Sequence, residues 1–360
     1  MSGRWTLPPF GVGDLAPDFS AVSRVNPRFH FSAVAGRYVL LAIMPRDPAR
    51  REAAVAAAAS LAPQFEGRRL AAFYVAREAE NDSLTDNPPG HRWFFDPGDA
   101  IAPLFHLDEG EGVWLLLDPA MRLMARAPID QPAAVFDQIT GLPSVSDYAG
   151  TPLVAPVLIV PRVFEPEFCR RLIDIYEARG GVPSGVMRDI GGRTVGVLDD
   201  MKSRRDVNLQ EDVELRTEIM RKIERSILPM IRRTYQFQVT RIERYLVACY
   251  DAKEGGHFRP HRDNETLGTL HRRFACSINL NAEEHEGGDL RFPEFGVRTY
   301  RPPTGGAVVF GCNLMHEATP VTAGRRFAFL PFFYDEEGQR IREQNAAFLD
   351  RASANAVSAR

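Results

Sequence analysis

The stretch "HFRPHRDNE", residues 257–265, places His261 and Asp263 two residues apart, just before a run of short strand-like segments. On an extended strand, residues i and i+2 project to the same side, so both side chains can reach one ion in the mouth of a barrel. A third ligand is needed. His316, in "NLMHEATPV", follows the apolar strand "GAVVFGC", and a barrel can return it to the same mouth. Two neutral imidazoles and one carboxylate on one face of an octahedron suit non-haem Fe(II) and leave positions for other groups. Similar ligands can hold zinc, which prefers tetrahedral sites. Ten residues after His316 comes Arg326, in "PVTAGRRFAFLPF". A guanidinium buried in that company is costly unless a carboxylate accepts two parallel hydrogen bonds from it. Arg325, one residue earlier, faces the opposite side and is solvated.

Outward from this stretch, the pattern from Val239 onward is one of short strands with turns between them: "RIERYLVACY", "RFACSINLN", "GDLRFPEFG", "VRTYRPPTG", "GAVVFGC" and "RRFAFLPFFYD". It predicts an antiparallel double-sheet or jelly-roll core. Two amphipathic helices precede it, "EPEFCRRLIDIYEARG" and "VELRTEIMRKIERSILPMIRRTY", placed to buttress a sheet. Between them "LDDMKSRRDVNL" reads as a polar loop carrying Arg204 and Arg205, either a solvated charge run or a lid over a substrate. His257 lies in a glycine-rich turn and reads as solvated; His271 and His285 read as surface histidines on turns.

Residues 155–340 resemble the prolyl-hydroxylase-type branch of the Fe(II)/2-oxoglutarate-dependent dioxygenases. "VACY", His261-x-Asp263, "SINLN", "GGDLRFP", "PPTGGAVVF", His316 and "PVTAGRR" carry the resemblance. It implies that His261, Asp263 and His316 bind iron and that Arg326 grips the distal carboxylate of 2-oxoglutarate. It also implies a cosubstrate hydrogen bond from Tyr250 in "LVACYD", whose bland alternative is a core aromatic with a satisfied hydroxyl. Asn279 stands where such enzymes often have a tyrosine, and the resemblance implies a hydrogen bond from it to the cosubstrate as well. Collagen-type relatives use lysine at the Arg326 position, and Lys202, Lys222 and Lys253 are not placed to substitute. The implied reaction hydroxylates a C–H bond with release of succinate and carbon dioxide, L-ascorbate being a further cofactor of such enzymes. The substrate is a small molecule or a peptidyl group, with proline, free or in a peptide, favoured by the resemblance. Asp263 argues against halogenation, because related halogenases lack the carboxylate.

The N-terminal half has a β-α-β pattern: "GRYVLLAIMP", the alanine-rich helix "RREAAVAAAASLAPQF" and "LAAFYVA". A hairpin turning at Asp118–Pro119 and the helix "QPAAVFDQITGL" complete an α/β organisation. "VGDLAPDFSAVS", the strand ending at Pro45 and "VWLLLDPAMRL" resemble the peroxiredoxin branch of the thioredoxin fold over residues 10–145. Where such peroxidases carry the reactive thiol, this chain reads "MPRDPARREAA", and no cysteine precedes Cys169. Thiol peroxidase chemistry needs a thiolate, so this half is not a thiol peroxidase. It is a scaffold, or a face that docks a protein substrate.

The expected organisation is an α/β thioredoxin-like domain over residues 1–148 and an α+β domain over 152–345 with a double-stranded β-helix (jelly-roll) core. A polar tail follows at 346–360. A formal net charge of -3, with arginines scattered among acidic residues, gives no field for nucleic acid. No apolar run approaches the ~20 residues of a bilayer span, and the first residues have no signal-like apolar core, so a cytoplasmic protein is expected. Cys169, Cys249, Cys276 and Cys312, in no CxxC spacing, read as buried free thiols. Two rival functions stand beside the oxygenase: a zinc-dependent hydrolase on the same three ligands, which has no need of Arg326, and a non-catalytic two-domain binding protein.

Overall fold

A computed structural model describes residues 10–24, 29–77, 84–88 and 90–349. The last residues of the expected polar tail, 350–360, lie outside it. Contacts divide the chain into two compact units, residues 1–155 with 293–297 and residues 156–292 with 298–360. Among the described residues no helix is long and apolar enough to cross a membrane.

In the first unit, five strands form one sheet in the order His91–Phe95, Leu70–Ala76, Tyr38–Ile43, Val113–Leu117, Leu123–Pro128. The first three are parallel and the remaining pairings antiparallel. The central strand, "YVLLAI", is buried on both faces, which explains its continuous apolar run in place of an alternation. The helix Pro48–Ala59 starts where Asp47 accepts the amide of Arg50, with Pro48 in its first turn. Its Ala54 and Ala58 pack with Tyr38, Leu40 and Ala42, small residues that let the helix approach the sheet closely.

The second unit is built on a larger sheet whose main path runs Arg241–Glu243, Phe332–Tyr334, Phe274–Asn279, Val321–Phe329, Leu246–Asp251, Arg205–Asn208, Val182–Pro183. Alternation sorts its two faces. Val247, Cys249, Ile278, Phe327 and Phe329 meet the helix Pro166–Arg179 through Cys169, Leu172, Ile173 and Tyr176. Ala248 and Tyr250 face the other way, toward Phe258 and Ala318 of a second, five-stranded sheet that contains Lys202–Ser203, His257–His261 and His316–Ala318. The polar residues that converge lie between these two sheets.

The helix expected as one piece from Val213 to Tyr235 is two, Val213–Ser226 and Leu228–Tyr235. Pro229 has no N–H to continue the ladder. Ile219, Ile223, Ile227 and Ile231 nevertheless keep one fully buried stripe across the junction. Each such burial contributes about 1.5–3 kcal/mol.

The expected polar loop "LDDMKSRRDVNL" instead holds two short strands, Lys202–Ser203 and Arg205–Asn208, and follows a hairpin of Val186–Ile190 and Arg193–Val197. Arg204 is buried, contrary to the solvated reading, because Asp206 two residues on supplies a carboxylate on the same face. His271 and His285 are also buried, not on the surface. His271 is held 2.7 Å from Glu243 Oε2, and His285 opens the short strand His285–Gly287. His257 is half-buried on its strand, with its ring nitrogens 2.6 and 3.0 Å from the carbonyls of Gly255 and Asp200. All four cysteines are free and buried.

Candidate metal and cosubstrate site

His261 and His316 are directly paired across the antiparallel strands His257–His261 and His316–Ala318, with ring centroids 4.3 Å apart. The chain leaves the first strand at His261, and the amide of Asp263 then donates to the carbonyl of Cys312 at 2.9 Å, fixing the carboxylate between the two rings. His261 Nε2 lies 3.6 Å from Asp263 Oδ1 and His316 Nε2 lies 3.3 Å from Asp263 Oδ2. One ligand atom from each of the three lies within 4.8 Å of the others, and among the described residues these three form the one such cluster.

The tautomers follow from the backbone. His261 Nδ1 sits 2.8 Å from the carbonyl of Arg259, and His316 Nδ1 sits 3.0 Å from that of Leu314. A carbonyl only accepts, so each Nδ1 carries the proton and each Nε2 presents its lone pair toward Asp263, the arrangement of a metal ligand. Stacking of Phe258 on His261, with centroids 3.4 Å apart, and contact of Phe310 with His316 at 4.5 Å hold the rings. Burial, followed by the neighbouring His316, pushes His261 down to about 4, so the ring is neutral at neutral pH.

Arg326 and Tyr250 are directly paired across strands Val321–Phe329 and Leu246–Asp251, which puts both on the inner face. Arg326 is buried, donates from Nη2 to Ser277 Oγ at 2.9 Å, and lies over the Tyr250 ring at 5.0 Å. No carboxylate among the described residues pairs with it. Burial lowers its guanidinium from the ordinary arginine value, the signature of a cation lacking its counter-ion. Space for its stem depends on Gly288: at φ 72° in the "GGD" turn, a Cβ there would stand 2.9 Å from Arg326 Cδ. Arg325 faces outward and pairs with Glu177 at 2.7 Å.

Tyr250 is buried, and its hydroxyl accepts from Arg204 Nη1 at 3.4 Å. Asn279 lies on the inner face opposite Ala328, but its amide donates to the carbonyl of Pro302 at 2.7 Å. It is thus committed to the loop that closes that end of the strand.

Sequence reasoning missed a row of charges on the same face. Lys202, Arg204 and Asp206 alternate along one extended segment. Arg204 Nη2 donates to Asp206 Oδ2 at 2.7 Å and to Ser184 Oγ at 3.1 Å, while Lys202 Nζ donates to the same Ser184 Oγ at 3.0 Å. The signal was the alternation: a period-2 run of charges describes a strand as well as a loop. Arg244 Nη2 stands 3.8 Å from Asp206 Oδ2 and its guanidinium lies over Phe332 at 5.1 Å.

With this geometry in hand, comparison with known proteins is informative. Residues 245–334 match the model of the 2OG-Fe(II) oxygenase superfamily, a span that holds Tyr250, His261, Asp263, Asn279, His316 and Arg326. The C-terminal region therefore carries a 2OG-Fe(II) oxygenase domain signature; Lys202 and Arg204 lie before it. A PKHD-type hydroxylase of Cupriavidus metallidurans is 27% identical over 197 residues, which is 50% of this chain and 80% of that protein. One of Synechococcus sp. is 29% identical over 118 residues, 30% of this chain and 52% of that protein. The chain spans about half the length of several curated relatives that it matches. Among solved structures, a prolyl hydroxylase from Trichoplax adhaerens, in complex with a hypoxia inducible factor peptide fragment, gives a TM-score of 0.41 at 17% identity. The match covers 51% of this chain and 86% of that one. A putative thiol:disulfide interchange protein DsbE from Chlorobium tepidum gives 0.30 at 19% identity, covering 36% and 96%.

Proposed function

We propose that the chain is an Fe(II)- and 2-oxoglutarate-dependent hydroxylase acting on a C–H bond, with His261, Asp263 and His316 as the iron ligands and Arg326 as the anchor of the cosubstrate's distal carboxylate. The observation that carries this reading is the conjunction of two incomplete groups on one inner face. Three donor atoms converge within 4.8 Å of one another, and a buried guanidinium has no carboxylate partner among the described residues. The donor set fits Fe(II), since two imidazoles and a carboxylate leave sites for a chelating cosubstrate and oxygen. When bound, iron and 2-oxoglutarate supply the oxidising power for hydroxylation.

The chain's own residues then have defined tasks. The Arg259 and Leu314 carbonyls hold the imidazole protons on Nδ1, so both rings stay oriented as ligands. Arg326 pairs with a carboxylate through its planar fork while Ser277 steadies Nη2. Tyr250, pinned between Arg204 and Arg326, presents its phenol O–H to the cosubstrate. Phe258, Phe292 and Phe310 around the two imidazoles exclude water from the ligands.

A hydrolytic zinc centre has no use for a carboxylate-seeking guanidinium on the same face, which favours the oxygenase over that rival. A proline, free or peptidyl, is the substrate suggested by the PKHD-type relatives, and the N-terminal unit is proposed as a scaffold or docking face. The test is reconstitution of the full chain with Fe(II) and measurement of 2-oxoglutarate-dependent oxygen consumption and succinate release. Both should appear in the wild type and vanish in His316→Ala. Turnover of an ester or amide with zinc alone, and none with iron, would remove the reading.

A further inference from the structure

We propose that the substrate of this site carries a carboxylate close to the carbon to be oxidised, and that the Lys202 ammonium with the Ser184 hydroxyl anchors it. The inference rests on the oxygenase reading and adds a substrate class to it.

Lys202 belongs to the wall of the site. Its strand, Lys202–Ser203, pairs with His257–His261 so that Lys202 is opposite Phe258. Nζ stands 5.0 Å from the Phe258 ring centroid, and that ring stacks on the ligand His261. The ammonium therefore lies against the ring that backs the ligand His261, close enough to feel the Asp263 carboxylate.

Its charge is unspent. Nζ donates to Ser184 Oγ at 3.0 Å and to the Gly185 carbonyl, both neutral acceptors. An ammonium has three donors, so one is left. No carboxylate among the described residues pairs with Lys202, and burial, then Arg204, depress it well below the ordinary lysine range. Two guanidiniums lie nearby and share one carboxylate. Arg204 is paired with Asp206, while the more exposed Arg244 shares that carboxylate and stacks on Phe332. On the proposed reading Fe(II), Asp263, the 2-oxoglutarate dianion and Arg326 cancel one another. Beside Arg244, Lys202 is then a cation of this face with no carboxylate of its own among the described residues.

Ser184 supplies the second donor. Its oxygen accepts from both Lys202 and Arg204, which leaves the hydroxyl proton to be donated. One ammonium and one hydroxyl suit a singly charged carboxylate; a phosphate group, nearer two charges, calls for an additional cation.

The probes are cyclopentanecarboxylate and its uncharged amide, titrated calorimetrically into the full chain with Fe(II) and 2-oxoglutarate under anaerobic conditions. Wild type should bind the carboxylate at least ~10-fold more tightly than the amide, about 1.4 kcal/mol. Lys202→Met should abolish that preference while 2-oxoglutarate affinity stays within about twofold, and Lys202→Arg should restore part of it. Equal binding of the two probes by wild type, or a preference kept by a folded Lys202→Met, would overturn the proposal. N-acetylglycyl-L-proline separates the sources: binding tighter than the cyclic acid assigns the carboxylate to a peptide terminus, and weaker binding assigns it to a free acid. The 2-oxoglutarate charge-transfer band is recorded in the same samples. Its absence with the calorimetric preference intact would count against the oxygenase reading alone, and a normal band without the preference would count against Lys202 alone.

Discussion

The two units bury their interiors differently. In the first, the central sheet and the alanine-rich helix enclose an almost purely apolar core, with Ser23 and Arg51 the buried polar residues among those described. In the second, Arg204, Asp206, Glu243, His271, His285, His316 and Arg326 are all buried. Burying charge costs several kcal/mol per ion unless it is paired, so a fold tolerates it where pairing or function requires it. The contrast puts most of the buried charge among the described residues in the second unit.

The largest effect belongs to the convergent ligands. Alanine at His261, Asp263 or His316 should reduce bound iron to background and lower turnover by more than ~100-fold, because loss of even an outer partner costs about 10–100-fold. Metal analysis beside thermal melts checks this, and the fold should survive. Next is the buried pair: Asp206→Ala strands Arg204 and should cost about 3–5 kcal/mol of stability in denaturant unfolding. Replacing both with Arg204→Met and Asp206→Leu should cost far less. A double variant as damaged as the single would make this pair more than a matter of charge balance.

A smaller effect is linked to pH. Burial, then Arg326 and Arg301, push His285 down to about 4. The unfolded imidazole binds a proton near its ordinary 6.5, so the native state is favoured fully above that value. Stability should then fall as pH drops from about 6.5 toward 4, by up to roughly 3 kcal/mol. His285→Gln should flatten that slope in melts across this window. The smallest effect is a null one. The full chain should add nothing to peroxide consumption by a thiol reductant, because the first 168 residues hold no cysteine. The four later thiols are buried and pushed up, Cys169 and Cys249 to about 12 and Cys276 and Cys312 also raised.

Much of the candidate site was legible because its residues obey local rules. The i, i+2 spacing of His261 and Asp263, the strand before His316 and the strand parity separating Arg326 from Arg325 are all written in short stretches. What stayed hidden depends on distant partners. His271 is buried because Glu243, 28 residues earlier, meets it, and no turn propensity records that. The inward row Lys202, Arg204, Asp206 lies in a stretch that reads as a solvated charge run or a lid, because charge outweighs alternation there. Its burial becomes visible only once Tyr250 and Ser184 are seen against it. The break ahead of Pro229 was legible but overridden by the continuous isoleucine stripe.

Arg326, on the proposed reading, is a buried cation that awaits a carboxylate beside a metal it does not touch. The direct measurement is an anaerobic titration of 2-oxoglutarate into the Fe(II)-loaded wild type, Arg326→Lys and Arg326→Ala, following the metal-to-ligand charge-transfer band and bound iron together. Wild type should saturate with a clear band, Arg326→Lys should need more cosubstrate, and Arg326→Ala should lose about 2–5 kcal/mol of affinity at unchanged iron content. A wild type without the band, or an Arg326→Ala that binds 2-oxoglutarate as tightly as wild type, would contradict the account.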